Sequence, residues 1–163
     1  MPKLPILRVL IVISVIVIGF GSGEELVGQD TKNERSEPFE VVRIYTDHTG
    51  ESHFCHTKVS FSLIDYAPPA PAISVSEIFD SQGLVFISSP PGWHGDWHPA
   101  PRKQYMICLE GELEVTVSDG ETRRFGPGNV ILVEDTSGRG HISKVVGDER
   151  CFMVAVPLEN NLE

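Results

Sequence analysis

A chain of 163 residues, 40% hydrophobic and 22% charged, has the size and balance of a single globular domain. Its formal net charge of −10 argues against nucleic acid as a partner, because phosphate binding draws on clustered Lys and Arg. No Gly-x-Ser-x-Gly elbow, Walker loop or Gly-x-Gly-x-x-Gly turn occurs, which sets aside the commonest hydrolase and nucleotide-binding signatures.

In chain order, Lys3 and Arg8 precede an apolar run from Val9 to Phe20, and Gly21, Ser22 and Gly23 lead into Glu24 and Glu25. Positive, apolar, small is the order of a secretory signal peptide. The uncharged stretch is short for a helix of about 20 spanning residues, and a tilted, uncleaved anchor is the alternative. Residues 1–23 are therefore expected as a signal peptide or transmembrane anchor, a hydrophobic helix in either case. Residues 4–23 would associate with a membrane, and the domain would be secreted, periplasmic or membrane-anchored. Residues 24–38 are polar and read as a flexible linker. The domain is expected at 39–158, with a polar tail at 159–163.

From Phe39 onward the pattern is β. Glu40–Tyr45, Phe54–Leu63, Ile73–Phe79 and Leu84–Ser88 are rich in Val, Ile, Phe and Tyr, while the proline-laden stretch Tyr66–Pro71 must be a loop. Gln104–Leu109 runs into Glu110-Gly111, and Glu112–Val117 alternates polar and apolar as a half-buried strand does. Asp119-Gly120 makes a hairpin turn, Thr122–Phe125 is a short strand, and Gly126-Pro127-Gly128 turns the chain again. Val130–Val133, His141–Val146 and Cys151–Val156 complete a set of short strands that reads as an all-β sandwich or barrel. Cys55, Cys108 and Cys151 make an odd number, so at least one is unpaired or pairs between chains. Cys108 and Cys151 sit in apolar strands and read as small buried hydrophobes.

The segment Gly92–Gly128 resembles the cupin superfamily. Gly92 is followed by five residues, then His98-Pro99-Ala100, then Gln104 and Gly111, which are the spacings of the first cupin motif. Ala100 stands where that motif has its second His, and Gln104 where it has Glu. The second motif is matched in part: Gly128 and the five residues after it fit, Glu134-Asp135-Thr136 replaces Pro-x-Gly, and His141 follows after a small insertion. Val145 stands where Asn is expected. The resemblance implies a single double-stranded β-helix (jelly-roll, RmlC-like) barrel. It also implies a divalent metal (Fe, Mn, Zn or Ni) held, if at all, by His98, Gln104 and His141.

Side chains two apart on a strand share a face, so His-x-His would aim two imidazoles at one metal. Here Ala100 offers no ligand and Gln104 only a neutral carbonyl oxygen. His94 and Asp96 have the parity of His98 and are alternates as ligands, although Gly95 and Pro90-Pro91-Gly92 favour a solvated loop. Arg102 shares the parity of His98 and Gln104, and could pair with a carboxylate-bearing ligand or with Glu134 or Asp135 at the rim. Trp93 and Trp97 could wall a ligand site, but outer-face packing is the commoner role. Met106 and Cys108 continue the Gln104 face into the barrel interior, and Ser137–Gly140 forms a loop that could close its mouth.

Three functions follow. A binding module would hold a small organic ligand among His98, Arg102, Gln104 and His141. A metal-dependent enzyme (dioxygenase, isomerase or lyase) would use the retained motif spacing. A structural barrel would pair with a second copy through its exposed sheet edges.

Overall fold

The computed structural model describes residues 37–159, and every regular element in that span is a strand. The hydrophobic segment expected as signal peptide, anchor or helix lies outside the described residues. Among those described, no helix is long and apolar enough to cross a membrane.

Eleven strands follow in order: β1 Phe39–Thr46, β2 Ser52–Val59, β3 Ser62–Ile64, β4 Ile73–Val75, β5 Val85–Ser89, β6 Gln104–Glu110, β7 Glu112–Val117, β8 Thr122–Phe125, β9 Val130–Val133, β10 His141–Val146 and β11 Cys151–Pro157. They form a six-stranded sheet ordered β2-β1-β9-β6-β11-β5, a three-stranded sheet ordered β10-β7-β8, and the small hairpin β3–β4. All pairings are antiparallel except β1 with β9, which runs Val42↔Ile131 to Ile44↔Val133.

The core lies between the two larger sheets. Ile44, Phe54, Cys108, Ile131 and Met153 come from the first, and Val115, Val117, Phe125 and Val145 from the second. Period-2 alternation produces this directly. On β7, Val115 and Val117 are buried, while Glu114 stays outside to pair with Arg124 and Lys144. The far face of the six-stranded sheet carries a second cluster of Val41, Leu132 and Leu158. The chain around residue 80 crosses it, with the Phe79 ring edge-on to Tyr105 at 5.3 Å.

The expected strand Phe54–Leu63 is two strands. The β1–β2 ladder ends at Phe39↔Val59, after which the chain turns and pairs Ser62–Ile64 with Ile73–Val75. The expected strand Ile73–Phe79 likewise stops at Val75, because β4 has only the three residues of β3 to pair with. Cys108 and Cys151 are buried at 0% and 1% exposure, as their apolar settings implied, and all three cysteines are free. Burial, then the neighbouring Cys108 thiol, pushes the Cys151 thiol up to about 12.

Candidate functional site

The retained histidines meet. His98 and His141 form an isolated antiparallel bridge in which each backbone N–H donates to the other's carbonyl at 3.0 Å. Directly opposed residues present their side chains on one face, and the two rings stand 4.7 Å apart between centroids. Gly140 permits this approach. Its φ of +70° lies in the left-handed region, and a Cβ there would run into the carbonyl oxygen of His98 and the nitrogen of Pro99.

The loop before His141 is pinned to the β1–β2 turn. Thr46 Oγ1 donates to the Ser137 carbonyl (2.9 Å), Arg139 N to the Gly50 carbonyl (3.0 Å), and the buried Ser52 hydroxyl to the Gly140 carbonyl (2.6 Å). A closing lid was expected from its glycines; these bonds make it a fixed support for His141 instead.

Behind His141 stands Asp135, which was expected at the rim as a partner for Arg102 and is instead drawn into the interior. Asp135 is fully buried, and its Oδ2 accepts from His141 Nδ1 at 2.6 Å. Its other oxygen, Oδ1, is buried with no partner. The sequence signal was an acid at the end of the apolar run Val130–Val133, six positions before a motif histidine. His98 Nδ1 donates to the Asp96 carbonyl at 2.8 Å. A carbonyl can only accept, so the proton on His98 sits at Nδ1, and the Asp135 carboxylate holds the His141 proton at Nδ1 likewise.

The two rings border a cavity of about 210 Å3 inside the barrel. Its walls are mainly apolar, with Ile87, Met106, Leu113, Ile131, Val133 and Met153 among them; Gln104, Ser89 and Ser143 add polar groups. Ala100, buried at 4% exposure, lines it as well, as do Trp93 and Pro101. Thus His98, Gln104 and His141 come together as expected, and Met106 lies on the same wall. Trp93 walls the cavity too, contrary to the outer-face role favoured for it. Trp97 does not, and instead lies under the Arg139 guanidinium at 5.9 Å.

Other expectations are corrected. Arg102 is exposed and is not among the lining residues, because the chain bends at 101–102 and breaks the alternation that linked it to His98 and Gln104. Nor does Arg102 pair with Glu134: Lys103 (2.6 Å) and Arg43 do. Burial would raise the Glu134 carboxyl, but those two cations more than offset it and hold it low. His94 and Asp96 are exposed and off the cavity. His94 bridges Lys144 while His98 bridges His141, so five residues face four, and the extra residue resets the parity.

The residues do not fit the metal that the cupin resemblance implies. The Nδ1 bonds are of the kind that orient metal-bound imidazoles, but two imidazoles and a neutral amide are too few strong ligands. Among the described residues no group of three His, Cys, Asp or Glu side chains converges on a common point.

A family match agrees with the fold. Residues 85–157 match the family model for the cupin domain, a little under half of the chain. Among solved structures, a Cupin 2 conserved barrel domain protein from Salinispora arenicola is 22% identical with a TM-score of 0.41, covering 62% of this chain and 76% of that one. A cupin-like protein from Thermotoga maritima is 17% identical with a TM-score of 0.42, covering 65% and 72%. Over 76 residues the chain is 33% identical to one component of an aspartyl/glutamyl-tRNA(Asn/Gln) amidotransferase from Herpetosiphon aurantiacus. That stretch is 47% of this chain and 14% of the other, so this chain spans a small part of that relative's length. With the motif spacings around His98 and the all-β barrel they fold into, the match identifies residues 85–157 of this chain as a cupin domain.

Proposed function

We propose that the barrel binds a small, largely apolar organic molecule whose polar head lies at His98, His141 and Gln104. The observation that supports this is the cavity itself: about 210 Å3, apolar along its walls, with two adjacent imidazoles on its lining. Concave apolar pockets with a few convergent polar groups are the usual form of small-molecule sites. An apolar cavity of about 150 Å3 accepts benzene, so this one suits a single ring with a short substituent.

Trp93 reports the binding, since it lines the cavity and only Trp97 shares its fluorescence. In the full chain carrying Trp97→Phe, titration with toluene is expected to give a saturable change in Trp93 emission. Ala100→Leu, which fills the cavity from a lining position, is expected to abolish it. A linear, unsaturable response in both proteins would contradict the proposal.

A second reading, self-association, is favoured by the open edge of the six-stranded sheet. Among the described residues strand β5 pairs only with β11 and leaves Val85 and Phe86 at 50% and 65% exposure. Apolar edge strands invite pairing with another copy. Sedimentation velocity is expected to show a dimer that Val85→Lys/Phe86→Glu converts to monomer; a monomeric wild type would end this reading.

A further inference from the structure

We propose that the ligand's head group is a neutral hydrogen-bond donor, a weakly acidic hydroxyl of the phenol type, lying against Nε2 of His98 and His141. This deepens the reading of the barrel as a binding site and rests on it. Hydrogen-bond direction at the two imidazoles points to a donor. Both Nδ1 protons are spent, one on the Asp96 carbonyl (2.8 Å) and one on Asp135 (2.6 Å). In the uncharged ring the other nitrogen is then an acceptor only. Two such acceptors on rings whose centroids are 4.7 Å apart call for a donor, and a single O–H gives its proton to one ring at a time. Gln104, Ser89 and Ser143 can either donate or accept, so the imidazoles decide the sign.

Charge narrows the class. Among the described residues no Lys or Arg lines the cavity, and Arg102 is exposed away from it. Behind His141 the Asp135 carboxylate is buried with one oxygen already unpartnered. A carboxylate or phosphate head would meet acceptors and a like charge, with no cation to pair with. An ammonium would satisfy the acceptors, but among the described residues no carboxylate lines the cavity to offset the loss of its water. A neutral hydroxyl carries neither penalty. A phenolic one is a stronger donor than an alcohol, and its ring suits the apolar walls.

Four probes of nearly equal size separate the outcomes in the full-length Trp97→Phe protein, read by Trp93 emission: 4-ethylphenol, 4-ethylanisole, ethylbenzene and 4-ethylbenzylamine. The phenol is expected to bind roughly tenfold tighter than its methyl ether, which can no longer donate. The preference is expected to fall to about twofold or less in His98→Leu and in the double variant Asp135→Leu/His141→Leu. The double variant is used because it leaves no buried carboxylate stranded. Equal binding of phenol, ether and hydrocarbon would overturn the donor head group while leaving the binding function standing. Tighter binding of the amine would overturn the choice of a neutral group. Binding of none of the four would overturn both.

Discussion

Replacing His141 by leucine removes the one hydrogen-bond partner of a carboxylate that water does not reach. Asp135 is 0% exposed, its Oδ2 is held by His141 Nδ1 at 2.6 Å, and its Oδ1 has no partner. Leucine roughly matches imidazole in volume, so the packing loss is small and the electrostatic loss dominates. Leaving a buried carboxylate without its hydrogen-bond partner costs about 3 kcal/mol, the upper end for an unsatisfied buried group because the acceptor is charged. With a urea m-value of about 1.5 kcal/mol/M for a domain this size, the unfolding midpoint falls by about 2 M. The double variant Asp135→Leu/His141→Leu removes the stranded charge, and is expected to regain most of that loss. Urea unfolding by circular dichroism at neutral pH measures both. A His141→Leu midpoint within about 0.5 M of wild type, or a double variant weaker than the single, would refute the pairing as the source of the energy.

Three further outcomes are expected. His53 is clamped between Asp47 (3.1 Å) and Asp119 (2.6 Å), and these bonds raise its pKa above the ordinary 6.5. The clamp's contribution is therefore complete below about pH 6.5 and is lost as pH rises through the raised value. It is small, because these side chains stay in contact with water. The urea midpoint gap between wild type and His53→Gln should shrink from about pH 6 to about pH 9, and a constant gap would contradict it. Gly140→Ala should cost more than Gly147→Ala in the same assay. Both positions have positive φ, which alone costs about 1–2 kcal/mol, but only Gly140 adds a collision with the His98 backbone. Equal costs would show the approach of the two chains to be slack. Ala100→His/Gln104→Glu should confer uptake of Ni2+ measurable by calorimetry, since both positions line the cavity beside His98 and His141. Failure to take up metal would mean that these four side chains do not converge.

Much of the barrel was legible because its second half obeys simple rules. The strands Glu112–Val117, Thr122–Phe125, Val130–Val133 and His141–Val146 fall where alternation and Gly-Pro turns put them. The meeting of His98, Gln104 and His141 was legible from motif spacing. The errors arose where parity was carried through irregular chain. Arg102 failed at the bend after Pro101, and His94 and Asp96 at the extra residue opposite β10. Asp135 was misplaced at the rim because its role depends on a long-range contact, the 2.6 Å bond to His141, made across a loop whose path the β1–β2 turn fixes. No local pattern encodes that path. Trp93 was assigned to the outer face on the usual habit of large aromatics, yet its backbone bonds to Val145 and Pro90 set it at the cavity.

The direction of the two imidazoles decides what the cavity can bind. The most direct measurement is histidine-selective 15N labelling of the full chain, with long-range 1H–15N spectra to identify which ring nitrogen carries the proton. His98 and His141 are both expected to be protonated at Nδ1 with a bare Nε2, and the Nε2 resonances are expected to shift on addition of 4-ethylphenol but not of its methyl ether. A proton on Nε2 of either ring in the ligand-free protein would contradict this assignment.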